Sequence, residues 1–203
     1  MVQITTAEAL RQHYPEASGR ALKKQLDHLD KHCRRFIELS PFVLIGSTGT
    51  DGPADVSPRG EAPGFVHVLD DHRLAIPDRP GNNRLDTLTN LLSSPQIGLL
   101  FLIPGVDETL RVNGHATIHD DEELKAPFEV KGRLPATILV VTVTEAYIHC
   151  AKALMRSQLW DPNARIERSQ FPTIGEMLRD QIAGDDVSES QEDMVERYKT
   201  ILY

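Results

Sequence analysis

This sequence predicts an antiparallel β-barrel of six to seven strands, interrupted by one helix and flanked by N- and C-terminal helices; the class is α+β. Three observations carry that expectation. Between Phe42 and Ile148 the chain breaks into short runs rich in Val, Ile, Leu and Thr, separated by turn clusters of hairpin length. One helical pattern, Leu85 to Leu92, interrupts those runs. On either side of this stretch the apolar spacing returns to the period of a helix.

The elements follow in order. Thr5 or Thr6 caps a short helix from Ala7 to His13, which Pro15 stops. Ser18 caps a longer helix through about Leu39, whose face carries Leu22, Leu26, Leu29, Cys33, Phe36 and Ile37; Pro41 ends it. Phe42 to Ser47 reads as a strand. The cluster Thr48-Gly-Thr-Asp-Gly-Pro53 turns it into a hairpin with Ala54 to Ser57. Gly64 to Leu69 is a third strand, and Asp70-Asp-His72 turns into a fourth, Arg73 to Ile76. Gln96 to Ile103 is apolar on both faces, as a central strand is. After the turn at Pro104-Gly105, Thr109 to Ile118 is its antiparallel partner, with Asn113-Gly114 as a bulge or bend. The charged segment Asp120 to Lys131 holds a short helix, and Ala136 to Ile148 is a long strand. Ile174 to Ala183 and Ser188 to Leu202 are helices, with Gly184 to Ser190 a loop or cap between them. The organisation is a helical extension over 1–40, the barrel over 41–155 and a helical segment over 156–203 packed on the barrel.

Composition narrows the function classes. A chain of 203 residues buries roughly 70% of its unfolded surface, enough for one main core. The net charge of −8 argues against a general nucleic-acid binder, which needs a basic face. Cys33 and Cys150 are far apart and form no Cys-x-x-Cys pair, so a reduced, cytoplasmic protein is expected. The N-terminus lacks the pattern of a secretory signal. No stretch approaches the ~20 apolar residues of a membrane span, and no membrane partner is expected.

The candidate chemistry centres on Ile76-Pro-Asp-Arg-Pro-Gly-Asn-Asn-Arg84, which lies between a strand and a helical pattern. Arginine, asparagine and glycine sit where a loop enters a helix, whose N-terminus offers unpaired N–H groups and a partial positive charge. Guanidinium forks fit phosphate oxygens. The combination predicts an anchor for a phosphate. Other groups at strand ends are Arg59 in Ser57-Pro-Arg-Gly60, Arg111 in Leu110-Arg-Val-Asn-Gly114, and Cys150, Lys152, Arg156, Ser157 and Trp160. No metal site is expected: His28 and His32 have helical spacing but no third ligand beside them. Gly46-Ser-Thr-Gly-Thr-Asp-Gly52 lacks the Gly-Lys-Ser/Thr ending of a phosphate loop and reads as a hairpin turn. No serine has a Gly-x-Ser-x-Gly setting. Cys150 reads as a small apolar barrel residue.

The order of Ser-Pro-Arg-Gly, the Ile76 to Arg84 run, the strand apolar on both faces, Leu-Arg-Val-Asn-Gly, and His149-Cys-Ala-Lys-Ala-Leu-Met-Arg-Ser157 resembles the pyridoxamine 5′-phosphate oxidase-like FMN-binding split-barrel family. The resemblance runs from about Leu39 to Trp160. It implies an FMN-dependent oxidoreductase acting on a small molecule, working as a homodimer with the flavin in a cleft between two subunits. It implies that Arg59 and Gly60 lie near the flavin ring or ribityl chain, and that Ile76, Pro77, Asp78 and Arg79 line the ring edge. Asn82, Asn83 and Arg84 would approach the phosphate, with Arg79 sharing its charge. Phe101 would flank the ring or ribityl chain. Arg111 is a further cofactor-binding candidate, and the segment with Lys152, Arg156 and Ser157 would close the site, from the partner subunit or its own. The C-terminal Gln170 to Tyr203 departs from the oxidase's substrate-phosphate segment, so pyridoxamine phosphate is not the expected substrate. The family also implies two alternatives: an F420-dependent reductase on the same fold, and a non-catalytic flavin- or haem-binding protein.

Overall fold

The computed structural model describes residues 1–182 and 189–202. Its centre is one sheet of seven antiparallel strands: β1 (Phe42–Thr48), β2 (Ala54–Gly60), β3 (His67–Val68), β4 (Arg73–Asp78), β5 (Gln96–Leu102), β6 (Thr109–His119) and β7 (Thr137–His149). Their spatial order is β2-β1-β5-β6-β7-β4-β3. Hairpins make the sequential neighbours β1–β2, β3–β4 and β5–β6, while β5 lies on the other side of β1. The two ends of the sheet curl towards each other, and Arg59 of β2 reaches Asp78 of β4 at 3.3 Å. No ladder joins β2 to β4 among the described residues, so the barrel is split along that line.

Alternation along each strand builds the core. Val43 and Ile45, Leu74 and Ile76, Leu99 and Phe101, Leu110 and Val112, and Leu139 and Val141 all point inward and are buried. Each contributes about 1.5–3 kcal/mol on burial. The bulge expected at Asn113-Gly114 is present as a register shift between β6 and β7. Gly114 is required there, because a Cβ would stand 2.1 Å from the Thr142 carbonyl oxygen.

Helices close the barrel. α3 (Lys31–Leu39) buries Cys33, Phe36 and Ile37 and packs on β3 and β7. α4 (Asp86–Ser93) packs on β1, β2 and β6 with Thr87 and Leu91 buried. α5 (Glu122–Lys125) and the 3-10 turn Ala126–Phe128 cover the outer side of β4 and β7, where Phe128 meets Ala75 and Ile138.

Several expectations need correction. The continuous helix from Ser18 to Leu39 is two helices, α2 (Gly19–Lys23) and α3, joined by an extended strap. Leu26 exchanges two backbone hydrogen bonds with Ala146 of β7, at 3.0 and 2.8 Å, and Asp30 caps α3 through the N–H groups of His32 and Cys33. Leu22 is therefore exposed, and His28 and His32 do not share a helix. The third strand shrinks to His67–Val68, because Gly64 adopts φ +83° and Phe65 closes a turn onto Ala62. Cys150 is exposed. The N-terminal helix α1 (Ala7–Arg11) is capped by Thr6. At the other end, α6 (Lys152–Ser157) follows β7, and Trp160 docks by donating its indole N–H to the Val106 carbonyl at 2.9 Å. Beyond Trp160 lie α7 (Ile174–Ile182), which buries no side chain, and α8 (Gln191–Ile201). Of the loop expected over Gly184 to Ser190, residues 184–188 lie outside the described residues; Ser190 caps α8.

Candidate functional site

The split between β2 and β4 opens into a cleft of about 680 Å³, within the size range of small-molecule sites. Its walls are residues 55–61 of β2 and beyond, Pro77 and Asp78 of β4, and the loop that runs from Arg79 through Pro80 and Arg84 into α4. The inward alternation of β2 turns Asp55, Ser57 and Arg59 towards it. β4 supplies Asp78, the last inward residue of its strand.

The entry to α4 has an unusual backbone. Asn83 and Leu85 both take left-handed conformations, with φ of 59° and 60°. For a leucine this costs about 1–2 kcal/mol. Leu85 occupies the N-cap and offers no side-chain acceptor, so the first N–H groups of α4 are uncapped. The helices α1, α2, α3 and α8 have Thr6, Ser18, Asp30 and Ser190 as capping acceptors, while α5 and α6 lack a side-chain cap as α4 does; of these, only α4 opens into the cleft behind left-handed residues. Uncapped N–H groups next to left-handed residues form a concave anion receptor. Asn82 shapes the turn by accepting from the Arg84 N–H at 3.1 Å. Arg84 itself is 73% exposed and, among the described residues, pairs only with Asp86, at 2.8 Å.

Arg79, at the start of the same loop, has a different setting. Its guanidinium is 8% exposed and meets Glu61 through two hydrogen bonds, at 2.6 and 3.0 Å. It also donates to the carbonyl oxygens of Phe128, at 2.9 Å, and Arg133. The side chain thus ties the cleft rim to the turn after α5. Arg59, 25% exposed, donates to the Ser57 hydroxyl and the Pro58 carbonyl besides reaching Asp78. Burial raises the pKa of Asp78, and the neighbouring Arg59 only partly offsets it. In total the lining carries four carboxylates, Asp55, Glu61, Asp78 and Asp86, against the three guanidiniums.

The structure brings together Arg59, Gly60, Pro77, Asp78, Arg79, Asn82, Asn83 and Arg84. It does not bring the other expected residues to this cleft. Ile76 and Phe101 are fully buried in the barrel core, because their inward positions fall where the barrel is filled. Arg111 lies on the outer face of β6, bonded to the Tyr147 hydroxyl at 3.2 Å. Lys24 and Arg111 both stand over the Tyr147 ring, at 5.2 and 5.8 Å. His149 stacks beside that ring, and burial followed by those two cations lowers its pKa. Lys152, Arg156 and Ser157 belong to α6, outside the cleft lining of their own chain. Sequence reading missed Glu61, Asp55 and Thr87. Thr87 donates to Asp55 at 2.6 Å and fastens α4 to β2. An acidic residue just after Ser-Pro-Arg-Gly was the available signal for Glu61.

A family model described as pyridoxamine 5′-phosphate oxidase matches residues 29–150. The chain belongs to the pyridoxamine 5′-phosphate oxidase-like FMN-binding split-barrel family. No curated protein matches the chain in sequence. Among solved structures, a single-residue variant of HupZ from Group A Streptococcus is 14% identical, over 60% of this chain and 99% of its own, with a TM-score of 0.50. A candidate pyridoxamine 5′-phosphate oxidase from Lactobacillus delbrueckii is 19% identical, over 61% and 98%, with a TM-score of 0.48. HutZ, a haem storage protein from Vibrio cholerae, is 14% identical, over 60% and 93%, with a TM-score of 0.42. At 14% identity the likeness to HupZ speaks for the fold alone. No described helix is long and apolar enough to cross a membrane.

Proposed function

We propose that this protein is an FMN-binding oxidoreductase of a small-molecule substrate, with the cofactor phosphate at the entry to α4. The observation that carries the reading is the uncapped N-terminus of α4 beside left-handed Asn83 and Leu85, at the mouth of the split between β2 and β4. Asn82, Asn83, Arg84 and the first N–H groups of α4 would hold the phosphate, each charge-assisted bond contributing about 1.5–3 kcal/mol. Arg59, Gly60, Pro77 and Asp78 would flank the ring. Arg79 keeps those walls in place through Glu61. Bound FMN supplies the electron and hydride chemistry; the chain's own residues hold, orient and shield it.

The charge balance of the cleft favours a second copy. With four carboxylates against three guanidiniums, one chain alone does not neutralise a phosphate near its dianionic form. Lys152, Arg156 and Ser157, with Arg111, are the basic and polar groups a partner would add. The outer side of the sheet offers a seam for it. Phe42 and Leu44 of β1, Leu100 and Leu102 of β5, and Val56 and Pro58 of β2 lie side by side there and stay at least partly exposed. None of the described cleft residues is a histidine, cysteine, methionine or tyrosine. One chain's share of the cleft therefore offers none of these axial ligands for haem, which favours flavin as the guest.

The test is a titration of the purified protein with FMN, riboflavin and F420, followed by absorbance and fluorescence, with mass in solution measured alongside. A dimer that binds FMN more tightly than riboflavin supports the reading. Failure to bind FMN ends it, and preference for F420 replaces the cofactor. Turnover of the FMN-loaded protein by a nicotinamide donor separates an enzyme from a carrier.

A further inference from the structure

Among the cleft carboxylates, Asp78 is the most deeply buried, and its one ion pair is long. Glu61 has a two-point contact with Arg79, Asp86 has Arg84 at 2.8 Å and Asp55 has the Thr87 hydroxyl at 2.6 Å. Asp78, at 12% exposure, has one contact of 3.3 Å with Arg59. That guanidinium is also spent on Ser57 and the Pro58 carbonyl. Directly across the β4–β7 ladder from Asp78 stands Thr137. Opposed residues share a face with their Cβ atoms roughly 4.5–5.5 Å apart. The Thr137 hydroxyl is buried and has no hydrogen-bond partner among the described residues. Native proteins rarely leave a buried hydroxyl in that state. A weakly held carboxylate on the cleft wall thus has an orphan hydroxyl as its cross-strand neighbour.

We propose that Asp78 is a proton-linked contact to the ring of the bound ligand. On binding it takes up one proton from solvent and, as a neutral acid, donates its O–H to a carbonyl or ring-nitrogen acceptor. The Thr137 hydroxyl then donates to the other carboxyl oxygen. This rests on the flavin reading above, whose ring carries such acceptors. The surroundings favour it. Burial already outweighs Arg59 and raises the affinity of Asp78 for a proton. A ligand that covers the cleft removes more water and deepens that effect. Of the other charges at the rim, Glu61 and Arg79 neutralise each other, as do Arg84 and Asp86. Protonating Asp78 leaves Arg59 as an uncompensated positive charge facing the ligand.

The sign follows from linkage. A carboxyl whose pKa is higher in the complex than in the free protein strengthens binding below its free pKa. That gain is lost as pH rises through its pKa in the complex. Riboflavin is the probe, because it lacks the phosphate whose own titration would intrude. Its dissociation constant, measured by fluorescence quenching from mildly acidic to mildly alkaline pH, should rise with pH towards a limiting slope of about tenfold per pH unit. Asp78→Asn keeps a donor but cannot titrate. It should bind within about threefold of the low-pH wild-type value, with a flat profile, whereas Asp78→Ala should bind weakly throughout. Calorimetry in two buffers of different ionisation heat should show proton uptake by the wild type only. A flat wild-type profile, or one that Asp78→Asn reproduces in parallel, overturns the proposal and leaves the flavin reading intact. Should the variant fail to fold, carboxyl-carbon NMR of the wild type decides. Saturating riboflavin must move the Asp78 titration to higher pH, and an unmoved titration overturns the proposal. Absence of binding by both riboflavin and FMN removes the flavin reading and this inference together.

Discussion

Arg79 and Arg84 stand at the two ends of one loop and have opposite physical settings. Arg79 is buried, locked by Glu61 and two carbonyl oxygens; Arg84 is exposed and held by one neighbouring carboxylate. A buried guanidinium that already has its carboxylate gains little from a phosphate, since the exchange would leave Glu61 unpaired out of water. An exposed one surrenders a surface ion pair of about 0–1 kcal/mol and can turn to a better anion. The same residue type thus builds the wall at one end of the loop and, in the proposed reading, binds phosphate at the other.

The largest effect should come from breaking the buried pair. Glu61→Ala is expected to cost about 3–5 kcal/mol of stability, because it strands Arg79. Denaturant melts measure this. The double change Glu61→Leu with Arg79→Met should recover much of the loss, since an apolar pair of similar volume often replaces a buried ion pair without penalty. Arg79→Ala, where it folds, should weaken FMN and riboflavin by the same factor. A selective loss of FMN would move Arg79 from the wall to the phosphate.

Arg84→Ala should do the reverse. Stability should change by no more than about 0.5 kcal/mol, as for other exposed sites. FMN affinity should fall by roughly ten- to a hundredfold, the worth of a charge-assisted bond to phosphate, with riboflavin unaffected. Parallel titrations with the two ligands read this directly, and equal losses would take Arg84 out of the phosphate site.

The contrast between the two arginines also marks how much the sequence could disclose. Strands and hairpins were legible because their signals are local: turn residues at 48–53 and 70–72, the run from Gln96 to Ile103 that is apolar on both faces, and the Asn113-Gly114 bulge. The loop into α4 was legible for the same reason. What failed was set by partners distant in the chain. The helix expected through Leu39 breaks because Leu26 pairs with Ala146. Ile76 and Phe101, placed beside the flavin by the resemblance, are buried in the core; strand periodicity does not say whether an inward residue meets a cleft or the core. Arg79 was read by residue type, while its environment is fixed by Glu61, Phe128 and Arg133, each brought in by tertiary structure. Nor did any local pattern place Thr137 opposite Asp78.

The smallest expected effect tests the weaker end of the comparison. Asp86 holds Arg84, and the hydrogen bond and charge it offers keep that guanidinium more firmly protonated. It also lies in the first turn of α4, where a negative charge is favourable to the helix by about 0.3–1 kcal/mol. Asp86→Asn should therefore lower stability by that amount. It should also release Arg84 and remove a like charge from beside the phosphate. FMN affinity should rise, by up to about fivefold, which is the upper worth of an exposed ion pair. The two effects have opposite signs, so a melt and an FMN titration on the same variant separate them. If FMN binding weakens in step with stability, Asp86 serves the site by shaping the helix entry, and Arg84 was not being held back by it.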